Sequence, residues 1–128
     1  MLKTKSIRTR IEAADGLRIL VARFRGHRVP VSRYDVWMPS LGPSERTLRA
    51  MQSGAMSWGK FTKDYRKEIF LDGPIDRKSR TIKNHGQKFT LRLIKRLSQR
   101  GNVTLLCHCA EDEKHCHRHV LRALITAQ

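Results

Sequence analysis

Leu17-Arg18-Ile19-Leu20-Val21-Ala22-Arg23-Phe24 is the stretch that decides the fold. Its apolar residues, Ile19 to Ala22, are continuous rather than alternating with polar ones. Such a run suits a strand covered on both faces, as in a parallel sheet. The turn signal Asp15-Gly16 precedes it. Val103-Thr104-Leu105-Leu106-Cys107 repeats the pattern after the helix stop Gly101-Asn102. Tyr34 to Met38, closed by Pro39, is a shorter third candidate strand.

Between these strands the apolar spacing changes to that of helices. The breaker Leu41-Gly42-Pro43 is followed by Ser44, an N-cap residue for a helix carrying Leu48 and Met51. Ser57 caps the next, where Trp58, Phe61, Tyr65 and Ile69 draw one apolar stripe that reads as core. Phe89, Leu93, Ile94 and Leu97 mark a third helix, whose other face holds Lys88, Arg92, Lys95, Arg96 and Arg100. A last helix is expected from about Cys116 to Ile125. Residues 72–87, with Arg77, Lys78, Arg80 and Lys83, read as a long polar loop. Residues 1–14 read as a basic N-terminal arm or a short strand ahead of a domain spanning 15–128.

Strands alternating with helices imply right-handed crossovers. The expected architecture is a single three-layer α/β domain with a mostly parallel central sheet and helices on both faces. In such sheets ligands bind beyond the carboxyl ends of the strands. The loops after Phe24 and after Leu106 meet that description.

Composition narrows the function classes. The 128 residues include 27 Lys plus Arg against 11 Asp plus Glu, a formal net charge of +16. That excess favours polyanionic partners, nucleic acid or a phosphorylated small molecule. No apolar run is long enough for a membrane span, and no secretory signal is expected. Three cysteines, an odd number, argue against an exported disulfide framework and for a reducing, cytoplasmic setting.

All three cysteines and four of the six histidines fall between Cys107 and His119, where a strand end joins a helix start. On helical geometry His117 points to the middle of the inward face set by Val120, Leu121 and Leu124. Cys116 and Arg118 lie at its margins, and His115 and His119 on the solvent side. Three readings stay open. Cys107, Cys109, Cys116 and His117 are the residue types that hold a tetrahedral zinc, although C-x-C is not the usual C-x-x-C hook. Cys116, at a helix N-terminus beside His117 and Arg118, has the setting of a reactive thiol, with Cys107 as a resolving partner. The phosphate loop of cysteine phosphatases is missing, and Glu111-Asp112-Glu113 would repel a phosphate. The third reading is structural: cysteines filling small gaps and His117 hydrogen-bonded in the core. Arg23, Arg25, His27 and Arg28 share the sheet edge and, with Arg118, are candidates for an anion pocket.

These blocks resemble the YeaO-like proteins, the family of domain of unknown function 488, over roughly Gly16 to Ile125. The family's opening pattern R-I-L-V-D-R-L-W-P-R-G reads here Arg18-Ile19-Leu20-Val21-Ala22-Arg23-Phe24, then Arg25-Gly26. Its D-L-W-L-K-x-L-A-P-S block is similar to Asp35-Val36-Trp37-Met38-Pro39-Ser40-Leu41-Gly42-Pro43-Ser44. The spaced aromatics match Trp58, Phe61 and Tyr65, and the closing V-T-L-L, acidic loop and C-H-R match Val103 to Leu106 and Cys116-His117-Arg118. The resemblance implies an α/β domain with a central sheet and supplies no activity. Ala22 replaces the family aspartate, and C-H-R replaces the N-H form of other members. His117, kept in both forms, and Arg23 are therefore the leading site residues.

The expectation is a protein that binds a phosphate, nucleotide or nucleic acid at this edge, through Arg23, Arg25, Arg28 and Arg118, with His117 as donor or general acid. The alternatives are a thiol- or zinc-dependent hydrolase using Cys116 and His117, and a nonspecific nucleic-acid-binding module.

Overall fold

The computed structural model describes residues 1–73, 78–83 and 85–128. Four strands, β1 (Leu2–Ser6), β2 (Leu17–Leu20), β3 (Val36–Trp37) and β4 (Val103–Cys107), form one sheet in the order β1-β4-β2-β3. Every pairing is parallel, as the continuous apolar runs of β2 and β4 require. Among the described residues four α-helices accompany them: α1 (Glu45–Gln52), α2 (Trp58–Ile69), α3 (Lys88–Arg100) and α4 (His117–Thr126).

Of the two readings of residues 1–14, the structure adopts the strand. LKTKS has almost no apolar content, so its place comes from backbone pairing along the free edge of β4, Leu2 opposite Val103 through Ser6 opposite Cys107. Lys5 is held there by the buried carboxylate of Asp15, 2.9 Å from its Nζ, and Lys3 Nζ donates to Ala14 O. The first fourteen residues are thus built into the α/β domain.

Side chains alternate across the sheet. Ile19, Val21, Val103 and Leu105 face a core completed by Phe61, Tyr65 and Ile69 of α2, Leu91 and Ile94 of α3, and Val120, Leu121 and Ile125 of α4. Leu20, Ala22 and Leu106 face the other way, against Ile7, Val29 and Tyr34. All four α-helices gather on the first face. The second is covered by loops and short 3-10 turns at Ala13–Asp15 and Val31–Arg33, which take the place of the helices expected there.

Both serine caps are present: Ser44 Oγ accepts from Thr47 N and Ser57 Oγ from Lys60 N. Glu68 on α2 accepts from Ser44 N and from Thr47 Oγ1, which locks α1 onto α2. The α2 stripe is core, as its spacing implies. In α3 the buried line is Leu91 and Ile94, whereas Phe89, Leu93 and Leu97 are exposed among the arginines. Position 77 of the polar loop lies outside the described residues. Among the described residues, no helix is long and apolar enough to cross a membrane.

Candidate functional site

Because the strands are parallel, their carboxyl ends share one edge. Ile7 N donates to Cys107 O at 2.8 Å and Val21 N to Leu106 O at 2.9 Å. The segments leaving β1, β2 and β4 are therefore pinned side by side. The sequence placed two of these segments at the edge; the one after Ser6 is the third.

His117 opens α4 and is 6% exposed. Its Nε2–H donates to the Val21 carbonyl at 2.8 Å, and its Nδ1 lies 3.7 Å from Cys107 Sγ. Burial holds its pKa below the ordinary 6.5, against the pull of the Val21 carbonyl, so the ring is neutral. A carbonyl only accepts, which puts the ring proton on Nε2 and leaves Nδ1 bare. Tyr65 stands edge-on, its ring centre 5.6 Å away.

Cys107 and Cys116 gather at this imidazole, and the Cys109 thiol reaches the other two sulfurs. The ligand atoms of Cys107, Cys116 and His117 lie within 4.8 Å of one another, so the cluster has the geometry to hold a metal ion. The Cys109 and Cys116 thiols donate toward the Cys107 sulfur, with the backbone N–H groups of Cys109 and His108, and outweigh burial to bring its pKa down to about 3. The same contact pushes Cys116 up, since its proton is held by the Cys107 sulfur. Of the three sulfurs, Cys107 is therefore the one whose ionisation the surroundings favour.

A hollow of about 140 Å³ opens onto this centre, walled by Ala22, Arg23, Phe24, Pro43, Leu48, Gln52, Cys107, His108, Cys109 and His117. Arg23 and His117, far apart in the chain, do share one cavity. Gly42 makes the close packing possible, because a Cβ there would meet Arg23 N at 2.6 Å. Arg23 in turn donates from Nε to Pro43 O and from its guanidinium to Gly42 O. Beside the hollow lies a cleft of about 290 Å³ lined by Ile7, Arg8, Arg28, Val29, Pro30, Arg33 and His108. It holds three guanidinium groups and no carboxylate. His108, fixed by its Nε2–H to Phe24 O at 2.8 Å, lines both spaces.

Several expectations are corrected by this geometry. Cys116 is 1% exposed and does not line the hollow; it caps α4, and the sulfur facing both cavity and imidazole is Cys107. Arg118 is also 1% exposed. Its guanidinium donates to the carbonyls of Cys109, Ala110 and Glu111, so it braces the loop and has no surface to offer an anion. Arg25 lines neither space and reaches Tyr34 Oη. Arg28 lines the cleft beside the hollow. Burial and a bare Nδ1 also take His117 out of the general-acid role, since a neutral ring bound to Val21 has no proton to give. Glu111, read as repelling phosphate, accepts from Ser6 N and Thr9 Oγ1 and ties its loop to the end of β1. The sequence reading missed Arg8 and Arg33. Arg8 follows a strand without an apolar signature, and Arg33 sits in a 3-10 turn whose facing carried no periodicity.

Fold and site define a parallel-sheet α/β domain that carries a cysteine–histidine centre at its strand ends. A family profile described as the active DUF488-N3 subclade matches residues 2–128. The chain belongs to the DUF488 family, as its likeness to YeaO-like proteins implied. Comparison with curated proteins and with solved structures gives no significant match.

Proposed function

We propose that this protein binds a phosphate-bearing ligand at the carboxyl edge of its sheet, with the anion in the arginine cleft and the rest of the ligand over Cys107 and His117. The observation that carries the reading is His108, one side chain walling both the cleft and the hollow. Arg8, Arg28 and Arg33 supply forked donors suited to phosphate oxygens, and the +16 net charge draws polyanions toward them. Cys107 takes the nucleophile's place first given to Cys116, and neutral His117 suits accepting a proton. That pairing is the basis on which a hydrolase would work here.

The test is calorimetric titration with inorganic pyrophosphate. Replacing Arg8, Arg28 and Arg33 together by Gln is expected to weaken binding by at least tenfold, since a single charge-assisted hydrogen bond contributes about 1.5–3 kcal/mol. Equal binding by the wild type and the triple variant would refute the reading. A nonspecific nucleic-acid binder predicts something else: affinity that collapses with salt and ignores His117→Ala.

A second reading rests on the 3.7 Å approach of the bare Nδ1 to the Cys107 sulfur. At that distance Nδ1 accepts from a Cys107 S–H, and once that thiol is ionised the pair can share a cation instead. Zinc fits the donor set of Cys107, Cys116 and His117, with Cys109 of the expected four outside that group, and the Val21 carbonyl is the outer-shell partner that fixes a histidine ligand.

A further inference from the structure

Resting on the phosphate-binding reading, we propose that the ligand carries a nucleobase, which enters the hollow against the Phe24 ring while its phosphate lies in the arginine cleft. Phe24 carries the argument first. It is 46% exposed and lines the hollow, where an apolar ring has no core to join. Its backbone is fixed through the carbonyl bonded to His108. Gly26, at φ +89° with His108 Cε1 only 3.0 Å from where a Cβ would sit, lets the loop close under that histidine. A ring mounted on a held loop is a stacking platform, because every base offers a π-face.

The other walls fit the same occupant. Ala22 and Leu48 are apolar, whereas Arg23 and Gln52 bring hydrogen-bonding groups, so faces and edge of a planar base would both find partners. Size decides how much of the ligand enters. At about 140 Å³ the hollow is well below the roughly 300 Å³ at the lower end of drug-sized sites. It takes a ring system and excludes a whole nucleotide. The adjoining cleft, about 290 Å³, receives the sugar-phosphate. A base reaches the hollow only after leaving its stack, which costs least in a single strand.

The shared chemistry is a base on a phosphate, whether in a free mononucleotide or in a strand. The test measures affinity for pyrophosphate, a mononucleotide, a short single-stranded oligonucleotide and an abasic oligonucleotide of equal length. The intact oligonucleotide is expected to bind about tenfold tighter than the abasic one. Phe24→Leu, at an exposed position, should remove that increment and leave abasic affinity unchanged. A mononucleotide binding as tightly as the strand supports the same site with the free nucleotide as its source. Intact and abasic strands binding alike, or Phe24→Leu matching the wild type, would overturn the base assignment even if pyrophosphate binds. Failure of pyrophosphate and both oligonucleotides to bind would overturn the phosphate reading itself.

Discussion

The Nε2–H of His117 meets the carbonyl of Val21 at 2.8 Å, and this bond ties the first turn of α4 to the end of β2. It sets the tautomer, and the tautomer sets what the site has to offer. With Nε2 committed, Nδ1 turns its electron pair on the Cys107 sulfur. The same imidazole is thus a structural strut on one side and a base or ligand on the other.

Those two duties separate by substitution. His117→Gln keeps an N–H donor in reach of Val21, whereas His117→Ala leaves the carbonyl unpaired beside a void. The alanine variant is expected to lose about 2–3 kcal/mol in urea denaturation and the glutamine variant less. Equal losses would show that the Val21 contact does not hold the helix.

Arg118 and Arg28 should behave as opposites. Arg118→Met strips three loop carbonyls of their donor and is expected to cost about 3 kcal/mol. Arg28→Met removes an exposed charge, should change stability by no more than about 0.5 kcal/mol, and should weaken pyrophosphate binding. Thermal denaturation and titration on the same two variants check both halves.

Acid should destabilise the fold in two stages. His117 has its pKa held below 6.5 in the fold, so the unfolded chain takes up that proton first. Its contribution is complete above about 6.5 and is lost as pH falls below it. For Asp15, burial works to raise the pKa, but the Glu12 N–H and the Lys5 ammonium outweigh it and hold it below 3.8. Its contribution is present above 3.8 and lost as pH falls through the lower folded value. In denaturation series across pH, His117→Gln should flatten the upper stage and Asp15→Asn the lower. A wild type whose stability is level from pH 7 to pH 5 would contradict the His117 assignment.

Zinc, if held, is expected at about one ion per chain by elemental analysis after expression in zinc-supplemented medium. The Cys107→Ser, Cys116→Ser pair should reduce it to background. A wild type as empty as the double variant leaves the cluster as a thiol site.

Much of this was legible in the sequence because burial writes itself into apolar pattern. The unbroken runs of β2 and β4 announced a parallel sheet, Ser44 and Ser57 announced two helix starts, and Trp58, Phe61, Tyr65 and Ile69 announced a core face. The parallel sheet then brought Arg23 and His117 to one rim. What stayed hidden depends on partners that pattern cannot record. The LKTKS strand exists through backbone pairing with β4. Arg118 is buried because three loop carbonyls take its two terminal nitrogens, against the usual exposure of arginine. Cys107 displaced Cys116 as the facing sulfur because α4 begins at His117 and leaves Cys116 as its cap. Phe89 and Leu93 are exposed although their spacing mimics a core line.

The most direct measurement is a backbone NMR titration of the wild-type protein with pyrophosphate, repeated at higher salt to remove diffuse attraction. The account predicts that amides of Arg8, Arg28, Arg33 and His108 shift together and saturably, with Cys107 and Cys109 following. Shifts confined to the arginine face of α3, at Arg92, Arg96 and Arg100, with the strand-end amides unmoved, would contradict it.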